Sequence, residues 1–381
     1  MVAYTQYTSD ARPRREAESL AMRGDDVDFI GLNEPGRPCE EMIEGVRVIR
    51  LPVSRYRGKS NLRYMLSYAY FFLLSFLNVG VLFFRKGYGI VYVHTMPDFM
   101  AFTALVPRIL GSKVILDIHD TMPELFATKF NVSEHHWFIR LLTFQEVFSA
   151  KFAHRVVATH DLHREIFVRH GIPDTKIFTS INYADPRLFF PGQERNNDDR
   201  YVLIYHGTIA QRLGLDIALR AVASVVNKIP KIEFQVIGDG DSLPSLLELA
   251  KDLGIEEHIY FSRKMLPLDQ IPEFIRQADI GIVPNRTDEA TANMMPVKLL
   301  EYVAMEKPVI AARTKVIQHY FSDGMVKTFT AENIDEFAQC ILYLYQNPSE
   351  CKSMMDRMKV FNQNHNWQLQ KELFYNLIDT V

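Results

Sequence analysis

The feature that most limits this chain is an alternation. Short runs rich in Val, Ile, Leu and Phe recur with helix-length segments between them, almost from the first residue to the last. That order predicts parallel strands joined by crossover helices that cover both faces of a sheet. In the first half the expected strands are residues 2–7, 27–32, 46–51, 90–94, 114–119, 155–159 and 177–181. The main helices between them are expected within 9–24, with Gly24 as the stop, near 64–84, 99–110 and 134–153, and from a cap at Asp161 to an end at Gly171. In the second half the strands are expected at 201–205, 232–237, 259–261, 279–283, 308–312 and 326–329. Between the halves, 192–200 reads GQERNNDDR, a polar break of the kind that separates domains. The pattern predicts two Rossmann-like, doubly wound α/β domains facing each other across a cleft. Their expected limits are 1–190 and 201–365, with a linker at 191–200 and a last helix at 366–381 that is free to cross back to the first domain. Open α/β sheets bind ligands at the carboxyl ends of their strands, so the loops there are where chemistry is expected.

Composition narrows the class. A chain of 381 residues with 48% hydrophobic and 23% charged content has the make-up of a soluble globular protein. A net charge of −3 argues against a dedicated nucleic-acid binder. Cys39, Cys340 and Cys351 have no metal-ligand spacing and suggest a reducing compartment without disulfides. The polar N-terminus lacks the form of a secretory signal, so a cytoplasmic protein is expected, with the inner face of a membrane open as its place of work. That opening comes from residues 64–84, which carry no charge over 21 positions and are flanked by Arg63 and Arg85–Lys86. They read as a membrane span, a buried helix or a helix docked on a surface, and the strand–helix context favours the last two. Arg55, Arg57, Lys59 and Arg63 would suit anionic headgroups or simply a solvated loop.

Several strand ends carry candidate chemistry. Residues 293–312 read NMMPVKLLEYVAMEKPVIAA, a helix opened by Pro296 and followed at once by a strand. Its first turn aims N–H groups at a cleft and would suit phosphate, with Glu301 able to hold the two hydroxyls of a ribose. The plainer reading is a core helix with Lys298 and Glu301 solvated. HGTIAQRLGLD at 206–216 follows a strand, with Gly207 for close approach and Arg212 for a diphosphate, or as an exposed arginine. IGDGD at 237–241 reads as a glycine-rich turn around Gly238 rather than a metal-binding D-x-D, and FSRK at 261–264 brings Arg263 to the next strand end. In the first half, DIHDTMPE at 117–124 places His119 and Asp120 where a strand ends, with His94 one strand over. Asp10, Arg12 and Arg15 leave the first strand, as acceptor-side groups or as surface charges of an amphipathic helix.

The string P-x-K-L-x-E-Y-x-A-x-x-K-P-V at 296–309 resembles the motif of family 4 of the retaining glycosyltransferases, which have the GT-B fold. The resemblance covers most of the chain, the second half more strongly than the first. It implies that Glu301 binds the nucleotide ribose. The family's sugar-contacting glutamate falls on Asn293, a departure that puts donor-sugar identity in question. It further implies that 207–216 clamps a diphosphate, with Thr208 at the family's arginine position and Leu213 at its lysine position, so Arg212 is the expected cation and Lys298 the second. The donor set implied is Gly207, Thr208, Arg212, Gly238, Arg263, Asn293, Lys298, Leu299 and Glu301. His119 resembles the family's histidine facing the donor sugar, and His119, Asp120 and Arg212 form the implied catalytic set. Asp10, Arg12, Arg15 and His94 form the implied acceptor side. The activity expected is metal-independent, retaining transfer from a nucleotide-diphospho-sugar, a co-substrate and not a cofactor. The acceptor would be a glycan or a polyprenyl-diphosphate-linked sugar in cell-surface polysaccharide synthesis, with no nucleic acid and with a membrane surface as a further partner. Two other readings stay open: a sugar-nucleotide epimerase of GT-B fold, and a non-catalytic nucleotide-sugar-binding partner.

Overall fold

The computed structural model describes residues 1–54, 56, 61–130, 132–192, 199–321 and 324–381, without the side chains of Asn61, Lys129, Glu289 and Ala290. Arg55, Arg57 and Lys59 of the expected basic loop, and 193–198 of the expected linker, lie outside the described residues. The chain divides into two compact units, Met1–Ile181 with Gln370–Val381, and Asn182–Leu369.

In the first unit β1 (Val2–Ala3) leads to α1 (Ala11–Arg23), β2 (Val27–Leu32), β3 (Glu40–Ile43) and β4 (Val46–Leu51). Next come α2 (Asn61–Lys86), β5 (Ile90–His94), a 3-10 segment Asp98–Ala104, α3 (Leu105–Ile109) and β6 (Lys113–Ile118). Finally α4 (Met122–Phe130), α5 (Trp137–Phe152), β7 (Arg155–Ala158), α6 (Asp161–His170) and β8 (Ile177–Thr179) complete it. The sheet order is β3-β4-β2-β1-β5-β6-β7-β8, parallel except that β3 runs antiparallel to β4. Gly24 and Gly171 close α1 and α6 in the left-handed conformation, each donating back to the last turn, which only glycine adopts without strain. The first strand is shorter than the sequence suggests, because residues 7–9 already turn as a 3-10 helix. Asp161, expected to cap α6, is its first helical residue; the side chain of His160 accepts from His163 N instead. The inner face of α2 packs Phe71, Val79 and Leu82 onto the apolar strands, so this helix belongs to the core on one side.

The second unit runs β9 (Tyr201–His206), α7 (Leu215–Ala223), β10 (Ile232–Ile237), α8 (Leu243–Asp252), β11 (Ile259–Phe261), α9 (Ile271–Gln277) and β12 (Ile280–Val283). It continues with α10 (Glu289–Ala292), α11 (Val297–Ala304), β13 (Val309–Ala312), α12 (Lys315–Tyr320), β14 (Lys327–Phe329), α13 (Ile334–Gln346) and α14 (Pro348–Asn364). The last helix, α15 (Trp367–Thr380), starts here, and its residues from Gln370 belong to the first unit. All strands are parallel in the order β11-β10-β9-β12-β13-β14. The inner strands β9, β10, β12 and β13 are buried on both faces, which is why they read as continuous apolar runs. The β9–β10 register pairs His206 with Ile237, so the loops after both strands begin at one level.

Candidate functional site

Those two loops make the nucleus of the second unit's site. Gly207 N donates to Ile237 O at 2.9 Å, and a Cβ on Gly238 would stand 1.9 Å from Gly207 O. Backbone therefore lies against backbone, and no side chain fits between. Gly207 adopts φ +110, which adds a second reason for glycine there. Ser262 Oγ accepts from Gly238 N at 2.8 Å and donates to Lys264 O at 2.9 Å, tying a third loop to the first two. Arg263 follows, exposed, with φ +54.

Against these loops stands α11. Its Lys298 places Nζ 4.4 Å from the centre of the Tyr205 ring, and within 3.9 Å of where a Gly207 Cβ would be. Burial pulls the ammonium down to about 8; Glu301 works against that shift and Arg212 adds to it. Arg212 is exposed and has no side-chain hydrogen bond among the described residues. Its backbone is fixed: Arg286 donates from N to Arg212 O at 3.0 Å, and from NH1 and NH2 to the Asp216 carboxylate at 2.9 and 2.8 Å. Two cations thus converge on a glycine loop, one rigidly rooted and one desolvated, which is the electrostatic form of an anion site.

Glu301 is 4% exposed, with Oε2 at 3.2 Å from His206 Nε2. Burial, reinforced by Lys298, pushes His206 down to about 3, so the pair is a neutral imidazole beside a carboxylate. Two expectations need correction. Leu299 is fully buried and its amide donates to Pro296 O at 3.0 Å, so it is not a free N–H at the helix start. Pro296 caps α11 and lies outside it, since its ψ of 115 keeps it extended. Thr208 is exposed, with its carbonyl accepting from Tyr205 Oη at 2.6 Å. Asn293 is half-buried just after α10. In the glycine-rich turn, Asp239 Oδ1 accepts from Gly240 N at 2.8 Å, a turn-forming role. Asn285 has no signal in the sequence, yet neither amide atom of this fully buried side chain is hydrogen-bonded among the described residues.

The first unit has a separate polar cluster. The β5–β6 register sets His94 opposite Asp117, and strand alternation puts His119 on the same side as Asp117. His119 Nε2 lies 3.2 Å from His94 Nδ1 and 3.4 Å from Asp117 Oδ2. Arg12, expected to meet an acceptor or solvent, is instead 2% exposed; it donates to both Asp117 oxygens and to Ser180 O. Its donors are committed inside the unit, because α1 brings it over the carboxylate. Arg15 is likewise buried, Asp10 is half-buried before α1, and His94 is 1% exposed behind His119. Asp117 is held well below the usual carboxylate range; burial opposes this, and Arg12 and His119 outweigh it. His119, 20% exposed, is raised from the ordinary imidazole value, since Asp117 overcomes the effect of burial. Asp120 is half-buried beside it. His94, Asp117 and His119 offer three ligand atoms within 4.8 Å of one another, but a cation there would face the Arg12 guanidinium on the same carboxylate. The geometry suits a proton-sharing network better than an ion.

Comparison with known proteins matches residues 200–347 to the Glycosyl transferases group 1 model and residues 10–180 to the Glycosyl transferase 4-like domain. The chain belongs to the family 4 glycosyltransferases. The fold is that of GT-B proteins. Sucrose-phosphate synthase from Thermosynechococcus elongatus superimposes with a TM-score of 0.76 at 16% identity, over 100% of this chain and 99% of that one. The Anabaena HepE protein in complex with UDP-glucose gives 0.74 at 13% identity, with the same coverage. Among curated relatives, the GDP-mannose-dependent alpha-(1-6)-phosphatidylinositol monomannoside mannosyltransferase of Mycolicibacterium smegmatis is 27% identical over 159 residues, 41% of each chain. The N-acetyl-alpha-D-glucosaminyl L-malate synthase of Bacillus anthracis is 21% identical over 79% of this chain and 76% of its own. The chain spans between 31% and 51% of the length of the first three curated relatives it matches.

Proposed function

We propose that this family member transfers a sugar from a nucleotide-diphospho-sugar to a hydroxyl of a glycan or lipid-linked acceptor in cell-surface glycan synthesis. Configuration at the anomeric carbon is retained and no metal ion is required. The observation that carries the reading is the convergence of Lys298 and Arg212 on the Gly207 loop. As the bond from the sugar to the diphosphate breaks, negative charge grows on the leaving oxygens, and Lys298 and Arg212 stabilise it without an ion. Glu301 accepts from ribose hydroxyls in this reading, and Asn293 meets the sugar through an amide. His119, with its proton favoured by Asp117, donates to a sugar hydroxyl, and Asp120 is its polar neighbour. UDP-glucose bound to HepE and the GDP-mannose of the mycobacterial relative support the donor class. The names of these relatives weigh against the epimerase and non-catalytic readings.

The test is release of nucleotide diphosphate from a panel of UDP- and GDP-sugars in the presence of EDTA, with product configuration read by NMR. Turnover that survives EDTA and falls by about 100-fold in Arg212→Ala supports the proposal. Loss of turnover in EDTA with recovery in Mg²⁺ would overturn metal independence, and an inverted product would overturn retention.

A further inference from the structure

The outer side of the first unit does not look like a surface made for water. On α2 the residues Leu66, Tyr70, Leu73, Leu77, Val81 and Phe84 recur every three or four positions and are about half-exposed or more, Phe84 at 72%. On α5 the same spacing exposes Trp137, Leu141, Phe144 and Phe148. Both helices pack on the 3-10 segment between them, through Phe72 on Phe99 at 5.6 Å and Phe148 on Phe102 at 5.4 Å. Ile109, at the end of α3, adds an exposed side chain at 73%. Contiguous apolar area of this kind marks a binding face, not ordinary surface.

Charge says what binds. Along α2 the sequence contains no Asp or Glu and three Lys or Arg, of which Lys86 pairs with Asp26 and Asp28. The only carboxylate on α2, α3 and α5 is Glu146, which is fully buried against His170. Exposed charge on these helices is therefore cationic, as in Arg85, Arg140 and Lys151. Beyond the end of α5, Arg108, Lys113, Arg155 and Lys176 crowd closely enough to act on His154 together. A second copy of the chain would bring like charges face to face, which opposes self-association. An anionic bilayer supplies the complementary charge and the apolar layer at once.

We infer that α2, α3 and α5 form a monotopic docking face for an anionic lipid bilayer, with the apolar stripes at the headgroup–acyl boundary and the cations on the headgroups. α2 does not cross the bilayer, although Leu62–Lys86 is long and apolar enough to do so. Its other side holds Phe71, Ser75 and Val79 in the core, and withdrawal would open the first unit. Docking does not depend on the transferase reading, because its test reads vesicle binding and not turnover.

The experiment is co-sedimentation of the full chain with vesicles of equal parts phosphatidylglycerol and phosphatidylcholine, against phosphatidylcholine alone. Binding is expected to the first, weaker by more than about tenfold to the second, and removable by alkaline carbonate. Leu73→Glu/Leu77→Glu/Phe144→Glu, all at exposed sites, abolishes binding while leaving the melting transition in place. Arg85→Glu/Arg140→Glu removes the preference for phosphatidylglycerol. Resistance to carbonate would mean a span and sink the inference. So would equal vesicle binding by the triple variant, or a soluble oligomer that the triple variant turns into a monomer.

Discussion

Arg12 grips Asp117 by both oxygens, Nε to Oδ2 at 2.8 Å and NH2 to Oδ1 at 3.0 Å, with no solvent at either partner. The residues are 105 apart in sequence, and the pair joins the first turn of α1 to β6. Glu16 adds a second buried carboxyl group 3.6 Å from Arg12 Nε. Arg12 thus positions Asp117, and Asp117 governs His119.

Asp117→Asn should lower the His119 pKa, because the charge that favours its proton is removed while burial, which disfavours it, remains. Titration of the His119 ring protons by NMR reads this directly. The sign is fixed: wild-type His119 stays protonated to higher pH than the variant. An unchanged titration would show that Asp117 serves packing alone.

Lys298 gives a linkage that can be read in the binding reaction. Free, its ammonium loses its proton near pH 8. A diphosphate beside it favours the charged form, so binding between about pH 8 and the ordinary lysine range near 10.5 takes up as much as about one proton. Affinity should be flat below pH 8 and fall by up to about tenfold per pH unit above it. Calorimetry of nucleotide diphosphate binding at pH 9, in buffers of different ionisation enthalpy, measures the uptake. Lys298→Met should abolish it. Arg212→Ala should shift its onset upward, since a like charge is gone.

Strands such as Val27–Leu32 and Ile232–Ile237 were legible because both faces are buried and the apolar run has no breaks. β3 was not, since Glu40–Ile43 carries two carboxylates, is exposed at alternate positions and takes its order from β4 alone. α4 hid behind DIHDTMPE, whose turn-like start masks nine helical residues. In the second unit the close approach of Gly207 and Gly238 could be read, because a glycine-rich turn after a strand is a local signal. Arg12 and Asp117 could not: a charged residue in a short amphipathic helix reads as solvated, and an aspartate inside a strand has no local reason to be there. Arg286 and Asn285 are cases of the same kind, fixed by tertiary contacts that leave no periodic trace.

Two glycines with opposite surroundings should respond in opposite ways. Gly238→Ala would press Cβ to 1.9 Å from Gly207 O, and backbone cannot yield as a flexible side chain does. A cost of about 1–3 kcal/mol or more is expected, with loss of nucleotide binding as the loops part. Gly80, inside α2, has nothing within 4 Å of a new Cβ. Gly80→Ala should stabilise by about 0.5–1 kcal/mol, because alanine loses less backbone freedom in a helix. Scanning calorimetry distinguishes the two, and a stabilising Gly238→Ala would refute the close-packed loop.

His170 should make the first unit's stability depend on pH in the alkaline direction. Its Nδ1 lies 2.6 Å from Glu146 Oε1 and its Nε2 3.1 Å from Glu124 Oε1, so both carboxylates bind the imidazolium, while Arg169 reaches Glu124 at 3.7 Å. Burial opposes the charge, but the two carboxylates prevail and raise the pKa from 6.5 to about 9. A raised folded-state value contributes stability that is complete below pH 6.5 and lost as pH climbs through 9. The shift corresponds to a few kcal/mol, on the order of 1.4 kcal/mol per unit. His170→Gln should therefore melt well below the wild type at pH 6, and the gap should close by pH 9.5, where Glu146, already raised by burial, is left without its cation in both proteins. A gap that stays constant across this range would mean that packing, not the imidazolium, holds α5 to α6.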